Sequence, residues 1–238
     1  MVAISNSNYN YLNFLAKFGI GGAHPGGIEL SKKVFQKESI KRSTQILDVG
    51  CGTGQSAAYL ALTYGANVTG IDNNTIMVEK AKERMASGPL SVKIIEGSIE
   101  NTSLLDDQFD LIISESVLSF VNKPRALKEI SRLLKSGGRL IAIEHTLNEH
   151  TINKEEENEI KQFFGFDALL KENDWISLLQ QAGFHNIEVE KGIVVDSEAD
   201  YHFSKDIDLE YYSTMEKLAE INENYEEILS YRIYLCTK

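Results

Sequence analysis

Residues Gln45 to Gly54 read Q-I-L-D-V-G-C-G-T-G, and this stretch decides the fold of the chain. The apolar, β-branched run from Gln45 to Val49 is typical of a buried strand, and glycines follow it directly at positions 50, 52 and 54. Residues 55–64 then favour a helix, which Gly65 ends. Because glycine has no Cβ, a glycine turn between a strand and a helix lets backbone approach a ligand closely. The stretch therefore predicts a nucleotide-type site at the end of a strand.

Length and composition indicate one globular unit. The chain has 238 residues, with 42% hydrophobic and 25% charged side chains, which predicts a single domain over residues 1–238. We find no apolar run of bilayer length and no basic-then-apolar leader, so we predict neither a membrane span nor a signal peptide. The two cysteines, Cys51 and Cys236, do not form the disulfide framework of a small secreted protein. We therefore expect a cytoplasmic protein.

The charge balance bears on the class of partner. The chain carries 24 basic and 35 acidic residues, a net charge of −11. Nucleic-acid binding depends on Lys and Arg at the phosphates, so this balance argues against a nucleic-acid partner. Much of the acidity lies in residues 196–227, which we interpret as a solvated face, with a cationic or amine substrate as the alternative. The sequence leaves the oligomeric state open.

Strands and helices alternate after the first strand. Predicted strands cover residues 45–50, 67–72, 91–96, 109–114 and 139–144, and predicted helices cover residues 55–64, 75–86 and 124–135. Such alternation requires right-handed crossovers and a parallel sheet with helices on both faces. Two late strands, 186–190 and 231–236, alternate in polarity and predict an antiparallel edge. The fold class is thus α/β and Rossmann-like.

Three further segments surround this core. Residues 1–40 contain a predicted helix over 9–20, a loop over 19–27 with five glycines, and a helix over 28–39. The cofactor-binding core is expected over 41–146. Helices predicted at 153–164, 174–182 and 209–228 place a helical cap in segments 150–175 and 197–229, over the substrate side.

Three motifs in order resemble the class I S-adenosylmethionine-dependent methyltransferases, especially the small-molecule group that includes the quinone-biosynthesis C-methyltransferases. They are D-V-G-C-G-T-G at 48–54, the acidic residue Asp72 at a strand end, and N-K-P-R-A-L-K-E-I-S-R-L-L-K-S-G-G-R-L at 122–140. The resemblance covers residues 46–144. It implies a seven-stranded sheet whose last strand is antiparallel. It also implies S-adenosyl-L-methionine as cofactor, S-adenosyl-L-homocysteine as product, and in-line methyl transfer to a small organic acceptor.

The resemblance also implies roles for individual residues. Asp48 corresponds to the acidic residue near the methionine amino group, and Asp72 to the carboxylate that binds both ribose hydroxyls. The remaining cofactor residues are Gly50, Cys51, Gly52 and Gly54 at the methionine end, Asn73 and Met77 beside the adenine, Ser98 and Ile99 at its edge, and Ser114 and Glu115 bordering the transferable methyl. Ser98 and Ile99 depart from the family's usual Asp-Ala pair. Cys51 is interpreted as a packing residue of the turn.

Three side chains are candidates for a general base, which an acceptor needs only if it carries a proton at the reacting atom. They are His24 in the glycine-rich loop, Glu115 at a strand end and His145 after the fifth core strand. Glu144, like His145, follows that strand and is interpreted as a solvated strand-end residue, with substrate contact as the alternative. Tyr9 and Tyr11 are interpreted as core aromatics, or else as lining the cofactor's carboxylate end. The histidines lack metal-ligand spacing, so no metal is predicted.

Other functions remain as alternatives. A nicotinamide-dependent oxidoreductase requires glycine at the sixth position of its fingerprint, where this chain has Gln55, so the sequence favours the methyltransferase over that alternative. A catalytically silent cofactor-binding or regulatory domain stays open, because the sequence shows no obvious base. An RNA methyltransferase is a second alternative, which would need a basic patch.

Overall fold

The computed structural model describes residues 11–88, 90–149, 152–192 and 200–238. Tyr9 and residues 197–199 of the predicted cap lie outside these ranges. The strands are β1 (Ile20–Gly21), β2 (Gln45–Val49), β3 (Asn67–Asp72), β4 (Val92–Glu96), β5 (Phe109–Glu115), β6 (Leu134–Leu147), β7 (His185–Lys191), β8 (Asp200–Tyr201) and β9 (Leu229–Thr237). The α-helices are α1 (Tyr11–Phe18), α2 (Gly27–Phe35), α3 (Gln55–Tyr64), α4 (Thr75–Ala86), α5 (Lys123–Leu133), α6 (Lys154–Phe164), α7 (Glu172–Gln181) and α8 (Glu210–Tyr225).

The central sheet has seven strands in the order β4-β3-β2-β5-β6-β9-β7. Strands β2 to β6 pair in parallel with one another, whereas β9 is antiparallel to both β6 and β7. The predicted α/β fold with an antiparallel last strand is therefore confirmed. The chain moves outward from β2 to β4 and then returns to β5 on the other side of β2. Ligands of open α/β sheets bind beside such a reversal, at the carboxyl ends of the strands.

Helices cover both faces of this sheet, because neighbouring residues of each strand point to opposite sides. Ile46 packs with Phe35 and Leu60, from α2 and α3, on one face. Leu47 packs on the other face in a cluster that includes Ile130 of α5 and Trp175 of α7. Burial of both faces explains why the core strands read as nearly continuous apolar runs.

The end of α5 differs from the sequence prediction. The predicted helix continued to Lys135, but α5 ends at Leu133 and β6 begins at Leu134. Leu134 is extended, with φ −73° and ψ 140°, and pairs with Phe109 of β5. Cross-strand pairing thus overrides the good helical propensity of leucine and lysine.

Three helices from separate parts of the chain pack together above the carboxyl ends of the strands. Phe14 of α1, Phe164 of α6 and Ile221 of α8 belong to one buried apolar cluster. A two-stranded ribbon joins α1 to the later segment, because β1 and β8 pair antiparallel. The sequence did not indicate this ribbon, since a two-residue strand is too short to show a period of two.

Candidate active site

A cavity of about 200 Å³ lies at the carboxyl ends of β2, β3, β5 and β6. The glycine turn after β2 forms its floor, and α1 together with Gly22, Ala23 and His24 covers it. The loop approaches the turn so closely that a Cβ added to Gly21 would lie 2.8 Å from Thr53 Oγ1. Glycine is therefore required where the two loops meet.

The glycine turn has different requirements at its three positions. Gly50 has φ +63°, and a Cβ there would lie 2.3 Å from Val117 Cγ2, so only glycine fits. Gly52 has φ +52° and lines the cavity, and a Cβ there would meet no atom within 4 Å. Its backbone thus faces open space in which a ligand can sit. Gly54 is the N-cap residue of α3. It does not line the cavity, because it packs against Met85 and Ala81.

Asp48 presents an unsatisfied carboxylate to this cavity. The side chain is buried, and among the described residues its Oδ2 has no hydrogen-bond partner. Burial, and then the charges of Glu115 and Asp72, raise the pKa of Asp48 well above its usual range. A buried carboxylate oxygen without a partner is costly, and a bound cation would relieve the cost. An ammonium group such as that of the methionine end of S-adenosylmethionine fits this requirement.

Asp72 is held in a fixed orientation at the end of β3. Its Oδ2 accepts a hydrogen bond from Gly52 N at 2.9 Å, and its Oδ1 accepts one from Asn74 N at 2.8 Å. Each carboxylate oxygen has a second lone pair, so both oxygens remain able to accept from a ligand in the cavity. Two adjacent acceptors suit a pair of ribose hydroxyls. Burial raises the pKa of Asp72.

A hydrogen-bonded network joins the loop, two helices and β5. Glu115 accepts from Ser31 Oγ at 2.5 Å and from Ser56 Oγ at 2.6 Å. Ser31 Oγ also lies 3.0 Å from His24 Nε2, and His24 Nδ1 lies 3.1 Å from the carbonyl oxygen of Pro25. His24 Nε2 is 3.7 Å from Glu115 Oε2. His24, Glu115 and Ser56 line the cavity, so the network borders the place where an acceptor would bind.

The geometry of the network determines where protons can lie. The Pro25 carbonyl only accepts, so His24 Nδ1 carries a proton. Ser31 has a single hydroxyl proton, yet both Glu115 and His24 Nε2 lie within hydrogen-bond distance of its oxygen. Both contacts are hydrogen bonds only when either Nε2 or the Glu115 carboxyl holds one additional proton. One additional proton at either position would therefore satisfy both contacts of Ser31.

His145 also lines the cavity and is electrostatically different. Burial, together with the charge of His24, lowers the pKa of His145 to about 4. Its Nδ1 is 3.3 Å from Ser116 Oγ, and its ring centroid is 5.2 Å from that of Phe166. At neutral pH it is thus an uncharged ring in an aromatic wall and a weak base.

Glu144 is fully buried and does not line the cavity, so it is neither the solvated strand-end carboxylate nor the substrate contact that the sequence suggested. Its fully buried carboxylate accepts from Leu118 N at 2.9 Å, Val117 N at 3.1 Å and Ser119 Oγ at 2.9 Å. These donors belong to the start of a 3-10 helix, Leu118–Phe120, so Glu144 acts as its N-terminal cap. Burial still raises the pKa of Glu144 to about 7.

The structure brings most of the predicted site residues together. Those that line the cavity are His24, Asp48, Gly50, Cys51, Gly52, Asp72, Asn73, Met77, Ser98, Ile99, Glu115 and His145. Gly54 and Ser114 do not, and Ser114 is fully buried with its Oγ 3.4 Å from Glu144 Oε1. Cys51 would contact a Cβ on Gly70, and burial raises the pKa of its thiol, which agrees with a packing role.

Sequence reasoning missed several residues of the site. Ser31 and Ser56 hold Glu115, and the buried Gln55 Oε1 has no hydrogen-bond partner in the described part of the chain. Phe120 and Val121 line the cavity from the segment after β5. Their position shortly after a strand end at the binding edge is a signal that could have identified these two.

The side chains and helices of the described ranges bear on metal binding and on membrane spanning. Within these ranges, no group of three or more His, Cys, Asp or Glu side chains is placed to hold a metal ion. None of the helices in the same ranges is both long and apolar enough to cross a bilayer. The predicted cytoplasmic location stays a prediction.

Comparisons with known proteins agree on one family. A family model described as a methyltransferase domain matches residues 47–142. The uncharacterized methyltransferase YodH of Bacillus subtilis is 38% identical over 233 residues, which cover 96% of this chain and 99% of that protein. Phosphoethanolamine N-methyltransferase 1 of Triticum aestivum is 32% identical over 180 residues, which cover 75% of this chain and 36% of that protein.

A solved structure shares the fold. Haemonchus contortus phosphoethanolamine N-methyltransferase 2, solved with S-adenosyl-L-methionine, superimposes with a TM-score of 0.79 at 17% identity. The match covers 98% of this chain and 58% of that one. The narrower similarity to quinone-biosynthesis C-methyltransferases stays a prediction. The chain is 38% identical to a methyltransferase over nearly its full length and has the fold expected for the family. It therefore belongs to the class I S-adenosylmethionine-dependent methyltransferases.

Proposed function

We propose that the protein transfers a methyl group to a small organic acceptor, and that His24, Ser31 and Glu115 together receive the acceptor's proton. The buried Asp48 Oδ2, which has no hydrogen-bond partner among the described residues, is the observation that carries the cofactor site. In this proposal Asp48 holds the cofactor's ammonium, Asp72 holds the ribose hydroxyls, and the Gly52 backbone makes room for the methionine end.

Bound S-adenosylmethionine supplies a methyl group activated on a sulfonium sulfur. The acceptor's lone pair forms the new bond to the methyl carbon, while the electron pair of the broken carbon–sulfur bond stays on sulfur. The acceptor's proton moves to Glu115, or through Ser31 to His24 Nε2. The protein contributes mainly orientation and exclusion of water, which in well-aligned systems lower a barrier by about 7–11 kcal/mol.

The network is a better proton acceptor than His145 for a physical reason. Proton uptake converts one unsatisfied contact at Ser31 into a hydrogen bond, whereas protonation of His145 places a charge in a buried aromatic wall. The low pKa of His145, about 4, supports the same choice. His145 then serves to pack against the acceptor.

Calorimetry with S-adenosylmethionine and S-adenosylhomocysteine tests the cofactor site. We expect Asp48→Asn to weaken S-adenosylmethionine binding by about ten-fold or more, because a charge-assisted hydrogen bond becomes a neutral one. Asp107→Asn, which changes a carboxylate that pairs with Lys238, is the matched control and should bind normally. Failure of the wild-type protein to bind either compound would overturn the proposal. Binding of the cofactor without methyl release to any acceptor would favour the silent domain.

A further inference from the structure

Among the described residues that line the cavity, the histidines are the only basic side chains. No lysine or arginine is among the described residues that line it. Residues 1–10, 89, 150–151 and 193–199, which the structure does not describe, contain no lysine or arginine in sequence. A phosphate on an acceptor is normally bound by Arg or Lys. The described residues that line the cavity therefore provide no Lys or Arg to bind a phosphate on the acceptor.

Three basic side chains on or next to the segments that line the cavity are engaged elsewhere. Lys80 donates to the carbonyl oxygen of His202. Arg84 Nε donates to the carbonyl oxygen of Thr53 at 2.8 Å. The buried Lys123 is 3.6 Å from Asp167 and lies over the ring of Trp175 at 5.9 Å. Movement of any of these three toward the cavity would break the contacts just described.

Acidic groups dominate the cavity electrostatically. Asp48, Asp72 and Glu115 line it, against His24 as a possible cation. S-adenosylmethionine adds only one net positive charge, since its carboxylate offsets one of its two cationic groups. The occupied site thus keeps a negative balance, and in a partly desolvated cavity that balance repels an anionic acceptor strongly.

One part of the cavity lining is apolar and aromatic. Tyr11, Phe120 and His145 line the cavity. The Tyr11 and Phe120 rings are stacked, with centroids 6.4 Å apart, and Phe164 packs edge-on against Tyr11 at 5.0 Å. Flat rings fixed by neighbouring rings favour a flat ligand, because aromatic stacking adds to the burial of apolar area.

We infer that the methyl acceptor is a small aromatic molecule with a hydroxyl or amino group and without phosphate or carboxylate, bound against Tyr11, Phe120 and His145. This inference rests on the proposed methyl transfer and specifies its substrate. The inferred acceptor differs from phosphoethanolamine, after which two of the similar methyltransferases are named.

Matched acceptor pairs test the inference on the full-length protein. Catechol and 3,4-dihydroxybenzoate differ only by a carboxylate, and ethanolamine and phosphoethanolamine only by a phosphate. With labelled S-adenosylmethionine, we expect kcat/KM for catechol to exceed that for 3,4-dihydroxybenzoate at least 30-fold, with no transfer to the ethanolamine pair. Transfer to phosphoethanolamine, equal use of both catechols, or no transfer to catechol would overturn it.

A charge-introducing variant tests the electrostatic argument directly. Leu12 lines the cavity and is 40% exposed, so Leu12→Lys is tolerated by the fold and adds a cation there. In protein saturated with S-adenosylhomocysteine, it should tighten 3,4-dihydroxybenzoate binding at least ten-fold and change catechol binding less than two-fold. Leu62→Lys, on an exposed position that does not line the cavity, is the control. An unchanged preference in Leu12→Lys would contradict the inference.

The two proposals fail differently. Absence of S-adenosylhomocysteine binding by the wild-type protein would count against methyl transfer itself. Normal S-adenosylhomocysteine binding with methyl transfer to phosphoethanolamine would count only against the acceptor class. Phe120→Ala supplies a third readout, since it should weaken catechol binding about ten-fold while leaving S-adenosylhomocysteine affinity unchanged. An unaffected catechol affinity would contradict the aromatic wall.

Discussion

The hydroxyl of Ser31 lies 2.5 Å from Oε1 of Glu115, although 84 residues separate them in sequence. Ser31 is on α2, outside the strand-helix core, and Glu115 is the last residue of β5. The contact joins the N-terminal segment to the binding edge of the sheet. The proposed proton acceptor contains residues of both parts, so it would form only in the folded chain.

Replacement of Ser31 with alanine should slow methyl transfer. We expect kcat to fall about ten-fold or more, because general-base catalysis contributes 10²–10⁴-fold and Ser31 connects its two members. Cofactor affinity should not change, since this hydroxyl does not line the cavity. Ser31→Thr keeps the hydroxyl and should recover much of kcat. Ser213→Ala removes an exposed hydroxyl bonded to Glu210 O and serves as control; an equal loss there would refute the assignment.

Removal of the Asp72 carboxylate should abolish tight cofactor binding. Asp72→Ala loses two potential ribose acceptors and frees Gly52 N, so we expect affinity to fall by about 10²-fold in calorimetry. The free energy of unfolding should change little, because the buried carboxylate is itself unfavourable, as its raised pKa shows. Normal binding by Asp72→Ala would exclude a ribose-binding role for this residue.

Two glycines with left-handed backbone offer a matched comparison. Gly52→Ala and Gly137→Ala should each cost about 1 kcal/mol of stability, because φ is +52° and +74° and neither new Cβ meets an atom within 4 Å. Only Gly52 lines the cavity, so only its variant should lose cofactor affinity. Chemical denaturation and calorimetry measure the two effects separately. Equal cofactor affinity in both variants would show that the Gly52 backbone does not approach the cofactor.

Glu144 and His145 should affect the pH dependence of stability with opposite sign. The pKa of Glu144 is raised to about 7, so its contribution is fully present below its unfolded value near 4.5 and is lost as pH rises toward 7. The pKa of His145 is lowered to about 4, so the folded state gains stability as pH rises from about 4 to 6.5. In the wild-type protein the two effects partly cancel.

Single variants should expose each effect. Relative to wild type, Glu144→Gln should gain a few kcal/mol of unfolding free energy between pH 4.5 and 7, whereas His145→Gln should lose a similar amount between pH 4 and 6.5. Urea denaturation across this range measures both slopes. Slopes parallel to wild type in both variants would mean that neither group titrates differently in the folded state.

The sequence predicted the core well because its signals are local. Gly50 needs a left-handed backbone, Asp72 ends a strand, and helix and strand patterns alternate at regular intervals, so the order of elements and the place of the cofactor follow from short stretches. The long-range contacts could not be predicted in this way. Ser31 contacts Glu115, and Ile20 pairs with Tyr201. The residues next to them in sequence carry no signal that predicts either contact.

Glu144 shows that a residue's position in the fold can be predicted from the sequence while its hydrogen-bond partners cannot. A carboxylate at the carboxyl end of a core strand is a reasonable candidate for ligand contact. Only the fold shows that Val117, Leu118 and Ser119 turn their donors toward it and use up its acceptors. Position along a strand predicts the edge that a side chain reaches, but not the partners that it meets there.

The capping of the 3-10 helix, Leu118–Phe120, by Glu144 has an evolutionary consequence. Glu144 holds the 3-10 helix through backbone donors and the hydroxyl of Ser119, whereas Phe120 and Val121 line the cavity and take no part in that anchoring. The support and the lining of the acceptor wall are thus encoded at different positions. Substitution at 120 or 121 can change which acceptor is preferred while the scaffold is inherited intact. A family built this way can diversify its substrates one residue at a time.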